Sequence, residues 1–172
     1  MGLTRRSFAR TLLCAAAIGM PRISRADGLA APTEKIILTI SGKIGAVNKD
    51  GTAQFDRPML EAIGWSSFET STPWFSGISK FEGVLMEKLM DTVKASGQTI
   101  IATALNDYAT ELPRSDFSQF GVLLALKRDG EYMRVKNKGP IFIVYPYDRY
   151  PELKHQKFYG RSAWQVSRLV VT

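Results

Sequence analysis

The sequence has 172 residues, with 23 basic and 16 acidic side chains, a net charge of +7, one cysteine and one histidine. Five arginines (Arg5, Arg6, Arg10, Arg22, Arg25) and no acid fall in residues 1–26, so residues 27–172 hold 18 basic against 16 acidic groups, a net of +2. That near-balance argues against a nucleic-acid partner, which needs a basic face on the folded domain; with Cys14 and His155 the only residues of their kinds, residues 27–172 can form no disulfide, thiolate metal ligand, cysteine nucleophile or histidine-rich metal site.

The chain opens with Thr4-Arg5-Arg6-Ser7-Phe8-Ala9-Arg10, an apolar run from Thr11 to Met20, and the small-residue site Ser24-Arg25-Ala26. A basic start, a short hydrophobic segment and a small-residue cleavage site read as a twin-arginine export signal over residues 1–26. The run has about half of the ~20 residues that a spanning helix needs. A cleaved leader is therefore favoured over an anchor, and the remaining chain is expected in the periplasm with no membrane span. Resemblance to other twin-arginine substrates implies that the chain folds before it crosses the membrane.

Residues 27–34 read as a flexible N-terminal segment, and residues 35–172 as one domain of ordinary size. Lys35 to Ile44 is rich in β-formers and partly alternating, and Asn48-Lys49-Asp50-Gly51 is a turn. Asp56-Arg57-Pro58 opens a short helix over Met59 to Ile63, with Asp56 as its cap. Trp65 to Ser71 reads as a strand, broken at Ser71-Thr72-Pro73-Trp74 because the residue before a proline avoids the helical region. The strongest helical pattern runs from Glu82 to Ala95, where Phe81, Val84, Leu85, Leu89 and Val93 recur at helical spacing and Gly97 supplies a stop.

Gln98 to Leu105 is an apolar strand, Tyr108 to Leu112 another, and Pro113 to Phe117 a helical turn. Gly121 to Leu126 turns through Arg128-Asp129-Gly130-Glu131 into Tyr132 to Val135, a hairpin signal. Gly139-Pro140 leads into the buried-type strand Ile141 to Tyr145, and Ser162 to Val171 returns to the sheet. The lone His155, in the polar stretch Glu152 to Lys157, reads as an exposed loop histidine. The fold class is α+β, of mixed short-stranded sheets with one main helix. Walker and dinucleotide glycine motifs are absent from the sequence.

Four segments taken together carry a family likeness. They are Phe81-Glu82-Gly83-Val84-Leu85; Ala104-Leu105-Asn106-Asp107-Tyr108 through Leu112-Pro113; Leu123-Leu124-Ala125-Leu126 with the Asp129-Gly130 turn; and Gly139-Pro140-Ile141-Phe142-Ile143-Val144-Tyr145-Pro146. In this order and spacing, over roughly residues 35–171, the chain resembles the oxidoreductase molybdopterin-binding domain family, the fold of sulfite oxidase. The resemblance implies a molybdenum–pterin cofactor and a protein cysteine ligand, a soft donor suited to that metal. In the family that cysteine precedes the segment resembling Phe81-Glu82-Gly83-Val84; here the region reads Phe68-Glu69-Thr70-Ser71-Thr72-Pro73-Trp74 and holds no sulfur.

Three functions are compatible with this. One is a periplasmic molybdopterin-binding-domain protein that keeps a pterin or small-anion cleft without a cysteine ligand. The second is a non-catalytic periplasmic interaction or sensing module, and the third a molybdenum oxidoreductase with a non-thiolate ligand set. The resemblance places Thr70, Ser71, Thr72 and Trp74 on the cofactor-facing loop; the alternative is a polar strand end with a core tryptophan. Asn106, Asp107 and Tyr108 end a strand where they can hydrogen-bond a pterin or an oxyanion, though Asp107 can equally cap a turn and Tyr108 simply pack. Arg134, Lys138 and Arg161 are candidates to neutralise a phosphate or anionic substrate, against a solvated surface role. No catalytic residue or metal ligand is assigned. Trp65 and Trp164 read as core residues. Tyr145, Tyr147, Tyr150 and Tyr159 form either an aromatic surface or ordinary packing, and the Tyr147–Pro151 loop is the candidate contact for a periplasmic or membrane-sensor protein partner.

Overall fold

A computed structural model describes residues 28–172; the leader read over residues 1–26, with Cys14, lies outside the described residues. The chain runs β1 (Leu38–Gly42), β2 (Ala53–Phe55), α1 (Arg57–Ala62), β3 (Ser66–Thr72), β4 (Phe75–Leu85), α2 (Met86–Thr92), β5 (Thr99–Ala104), β6 (Ala109–Pro113), α3 (Ser115–Phe120), β7 (Leu123–Arg128), β8 (Glu131–Tyr132), β9 (Phe142–Val144), α4 (Gln156–Arg161) and β10 (Val166–Val171). Single 3-10 turns occupy Val135–Asn137 and Pro151–Leu153.

The strands form two sheets, one ordered β2-β1-β10-β5-β6 and the other β3-β4-β7-β8 with β9 also on β7. Period-two burial builds them: β1 buries Leu38 and Ile40 between half-buried Thr39 and Ser41, and β5 buries Ile100, Ala102 and Ala104. Leu38, Ile40, Ile100 and Leu169 of the first sheet share one core with Phe81, Leu124 and Ile143 of the second and with Leu60, Leu89 and Phe117 from the helices. Burying each such side chain is worth about 1.5–3 kcal/mol. The architecture is mixed α+β with two sheets and few helices.

Local signals fix α1. Asp56 accepts from the Met59 amide at 3.0 Å as the cap, with a proline in the first turn. Its other oxygen accepts from the amides of Thr33 and Glu34 at 2.7 and 2.9 Å. Burial disfavours the Asp56 charge, but these three backbone donors outweigh burial and hold its pKa below the ordinary carboxylate value. The segment expected to be flexible before residue 35 is thus tied down at Thr33 and Glu34, and again where Asn48 donates to the Ala30 carbonyl at 2.8 Å.

The single helix expected over Glu82–Ala95 is corrected: β4 continues through Leu85 and α2 occupies only Met86–Thr92. Ser79, Phe81 and Gly83 are buried at alternate positions, a strand period. β4 is paired on both edges, by β3 and β7, and two long-range partners override a local helical pattern. Gly83 sits at the register shift between β4 and β7, where a Cβ would run into the Leu124 carbonyl. Gly97 is no helix stop either. The helix ends at Val93, and the missing side chain of Gly97 lets the Thr172 carbonyl approach closely.

Candidate functional site

Three loops at the ends of the strands converge on one cleft of about 330 Å³. The β3–β4 turn supplies Pro73 and Trp74, the β5–β6 connection supplies Ala104, Asn106 and Tyr108, and α4 with the segment after it supplies Gln156, Tyr159, Gly160, Ser162 and Trp164. Each loop is held by its own polar groups. Thr72 Oγ1 accepts from the amides of Trp74 and Phe75 at 3.4 and 3.3 Å, fixing the turn that presents Trp74. Asn106 Oδ1 accepts from the Tyr108 amide at 3.3 Å, around Asp107 at φ +62°. His155 caps α4, its Nδ1 accepting from the Lys157 amide at 3.2 Å. The Tyr108 hydroxyl then donates to the Gly160 carbonyl at 2.9 Å, joining the β5–β6 loop to α4.

Aromatic rings form the walls. Trp74 meets Phe142, Trp164 and Tyr159 edge-on, with centroids at 5.4, 5.6 and 6.1 Å, a geometry that aligns positive ring edges with negative faces. Behind them the Tyr147 hydroxyl pairs with the Ser162 hydroxyl. Tyr145 donates to Asp116 Oδ2 at 2.8 Å. Burial, and then the Asp116 carboxylate beside it, push the Tyr145 pKa far above the ordinary phenol value, so it stays a donor. A shallower depression lined by Ser71, Thr72, Pro73, Tyr147, Lys154 and Tyr159 adjoins the cleft, sharing Pro73 and Tyr159 with it. There Asp148 accepts from the Ser71 hydroxyl at 2.7 Å and pairs with Lys154 at 2.6 Å. The hydrogen bond from Lys154, then those from Ser71, hold the Asp148 carboxyl down at about 2.

No protein-family profile and no curated protein matches this chain.

The structure brings some of the expected site residues together and separates others. Trp74, Asn106 and Tyr108 line the cleft, and Ser71 and Thr72 line the adjoining depression. Thr70 is buried, its hydroxyl accepting from the Asp148 amide at 3.1 Å. Asp107 points to Arg168 at 3.1 Å. Arg161 belongs to α4, but its guanidinium is committed to Asp116 at 2.7 Å. Lys138 lies 3.7 Å from the Trp164 ring centroid, and burial lowers its pKa. Arg134 lines a different groove of about 730 Å³, with Lys35, Arg57 and Arg168.

One further expectation is corrected. Trp65 is 43% exposed, with the Lys127 ammonium 5.1 Å from its ring centroid, and Trp164 is a cleft wall, only partly buried. Of the two alternatives for the tyrosines, Tyr145 and Tyr147 take the packed one, and Asp148 of the Tyr147–Pro151 loop is hydrogen-bonded to Thr70 and Ser71 of β3. Gln156, Tyr159 and Gly160, with Ser162 at the C-terminal cap, escaped sequence reasoning as site residues because α4 positions them, and the apolar spacing of Gln156–Arg161 gives no helical stripe.

Chemically, the cleft offers aromatic faces and edges, the side-chain amides of Asn106 and Gln156, and no charged lining residue. Among the described residues, no group of three or more His, Cys, Asp or Glu side chains is placed to hold a metal ion. None of their helices is long and apolar enough to cross a membrane.

Proposed function

We propose that this chain is an exported, periplasmic ligand-binding domain of the sulfite oxidase-like, molybdopterin-binding type, which holds a small planar ligand and lacks a molybdenum–thiolate centre. The observation that carries this reading is the uncharged cleft where Trp74, Tyr108, Tyr159 and Trp164 meet on loops set by two sheets. Concave, mostly apolar sites with a few convergent polar groups are where small molecules bind, and loops on a rigid scaffold build them. The leader pattern of residues 1–26 supports export. The family-like segments Ala104–Tyr108 and Gly139–Pro146 support the type, since Ala104, Asn106 and Tyr108 line the cleft and Phe142 backs Trp74.

The donor set does not fit the family's molybdenum cofactor. A soft thiolate suits that metal, whereas the turn at residues 70–74 offers hydroxyls already engaged with Asp148 and with backbone amides. An anionic pterin also wants guanidinium or ammonium donors, and none lines the cleft. The test is metal and pterin analysis of the full chain, purified from the exported fraction of a host that makes molybdenum cofactor. Molybdenum well below one atom per chain is expected, together with a melting temperature that rises when a planar ring compound is added. Near one-to-one molybdenum and pterin overturns the proposal in favour of a redox enzyme with oxygen ligands.

A second reading, the interaction or sensing module, is favoured by one feature. The groove that contains Arg134 also exposes Ile36, Leu105, Tyr132 and Val135. It expects a periplasmic or membrane-sensor protein to co-purify with the chain and to be lost on Leu105→Asp and Val135→Asp.

A further inference from the structure

We infer that the cleft discriminates by charge, taking an uncharged planar heteroaromatic ring and rejecting anionic forms of the same ring. This rests on the ligand-binding reading and adds to it the chemical class of the ligand, which is not that of the family's anionic cofactor.

None of the residues lining the cleft is charged. Two nearby cations are paired with acids, Lys154 with Asp148 at 2.6 Å and Arg161 with Asp116 at 2.7 Å, and Lys138, which is not among the lining residues, packs on the Trp164 ring at 3.7 Å. Arg134 opens onto the other groove. An anion entering the cleft therefore loses water without gaining a counter-charge, which is the unfavourable half of ion-pair burial. Aromatic faces carry the negative side of the ring quadrupole, so they too disfavour an anion while accepting a neutral ring edge or face.

The polar groups suit a neutral heterocycle. The side-chain amides of Asn106 and Gln156 each carry donors and an acceptor. Among the described residues only Asn106 Oδ1 is engaged, with the Tyr108 amide. A ring edge with alternating N–H, N and C=O groups can satisfy both amides, whereas a hydrocarbon leaves them unpaired. At about 330 Å³ the cleft lies at the small end of ligand sites, the size for one ring system and not for a dinucleotide.

The test uses the full chain and isothermal titration calorimetry at pH 6.5, with two matched pairs of probes: pterin against pterin-6-carboxylate, and guanosine against its 5′-monophosphate. The neutral member of each pair is expected to bind at least ~10-fold more tightly. Ala104→Leu, which fills the cleft floor, is expected to abolish pterin binding. Should that variant not fold, Gly160→Val serves, since a Cβ there meets no atom within 4 Å. Tyr108→Lys, placing a cation at the half-exposed rim, is expected to narrow or reverse the preference within each pair. Anionic probes binding as tightly as neutral ones overturn the charge selection and leave the ligand-binding reading standing. If none of the four probes binds, both fail. Undiminished pterin affinity in a folded, cleft-filled variant puts the ring elsewhere and also overturns the inference.

Discussion

Asp116 Oδ2 accepts from both the Arg161 guanidinium at 2.7 Å and the Tyr145 hydroxyl at 2.8 Å, and neither charged side chain is more than 15% exposed. Because Arg161 belongs to α4, this one carboxylate fastens a cleft wall to α3. Asp116→Asn leaves the guanidinium largely buried and unpaired, a change that costs about 3–5 kcal/mol where it has been isolated. Urea unfolding is expected to show a loss of that order, and Arg161→Met in the same chain to recover most of it, since an apolar replacement of a buried pair is close to neutral. Asp148 sets the other wall, and its effect is pH-dependent. Its pKa in the folded chain is about 2, below the ordinary 3.8, through Lys154 and Ser71. The carboxylate therefore stabilises the fold fully above pH 3.8 and progressively less as pH falls towards 2. Denaturation at stepped pH should give a constant difference between the native chain and Asp148→Asn from pH 7 to 5, closing below pH 4. A difference that stays constant down to pH 2 counts against the role of Asp148.

At the scale of elements, α1 depends on a single side chain. Asp56 caps the helix and also holds the amides of Thr33 and Glu34. Asp56→Ala removes a cap, worth about 1 kcal/mol, and two further hydrogen bonds from the amides of the exposed Thr33 and Glu34, each worth ~0.5–1.5 kcal/mol. A loss of about 2–4 kcal/mol is expected by thermal or chemical unfolding, with faster amide exchange at residues 33, 34 and 59. This helix was legible in the sequence because its signal, Asp56-Arg57-Pro58, is local and nothing distant competes with it. Phe81 to Val93 was not. Its apolar spacing is helical and α2 realises it at Met86–Thr92, but the stretch through Leu85 belongs to β4, because it pairs with β3 and β7, and no local pattern reveals that pairing. Asn106 and Tyr108 could be read as site residues because they follow a strand end, and Trp74 because the family resemblance falls on its loop. Tyr159 could not, because α4 begins at a histidine cap and its sequence, Gln-Lys-Phe-Tyr-Gly-Arg, has no continuous apolar face; Trp164, in the segment after it, reads as a core residue. Arg161 is open in the sequence between an anion-binding and a solvated role, and its ion pair is not legible because the buried acid that claims it is 45 residues away.

For the whole molecule, the last strand in the chain occupies the middle of the first sheet. β10 lies between β1, which it pairs in parallel with Thr39 beside Arg168, and β5, which it pairs antiparallel. Val166, Leu169 and Val171 are buried there. Pairing so distant in sequence pays loop-closure entropy before it is rewarded, and it cannot start until residues 166–171 have been made. A chain proposed to leave the cytoplasm already folded must therefore be complete before export. Removing residues 166–172 opens the facing edges of β1 and β5 and takes three apolar side chains from the core. The truncated chain is expected to lose its cooperative unfolding transition, to be digested within minutes by a low level of protease, and not to accumulate in the exported fraction with its leader intact. Arg168→Ala is the control. It keeps the strand and removes only the exposed pair with Asp107, whose side chains are 58% and 85% exposed. Such a pair is worth about 0.2–1 kcal/mol, so this variant is expected to fold and be exported like the native chain. Export of the truncated chain at the native level would show that the sheet closes without β10, contrary to the pairing described above.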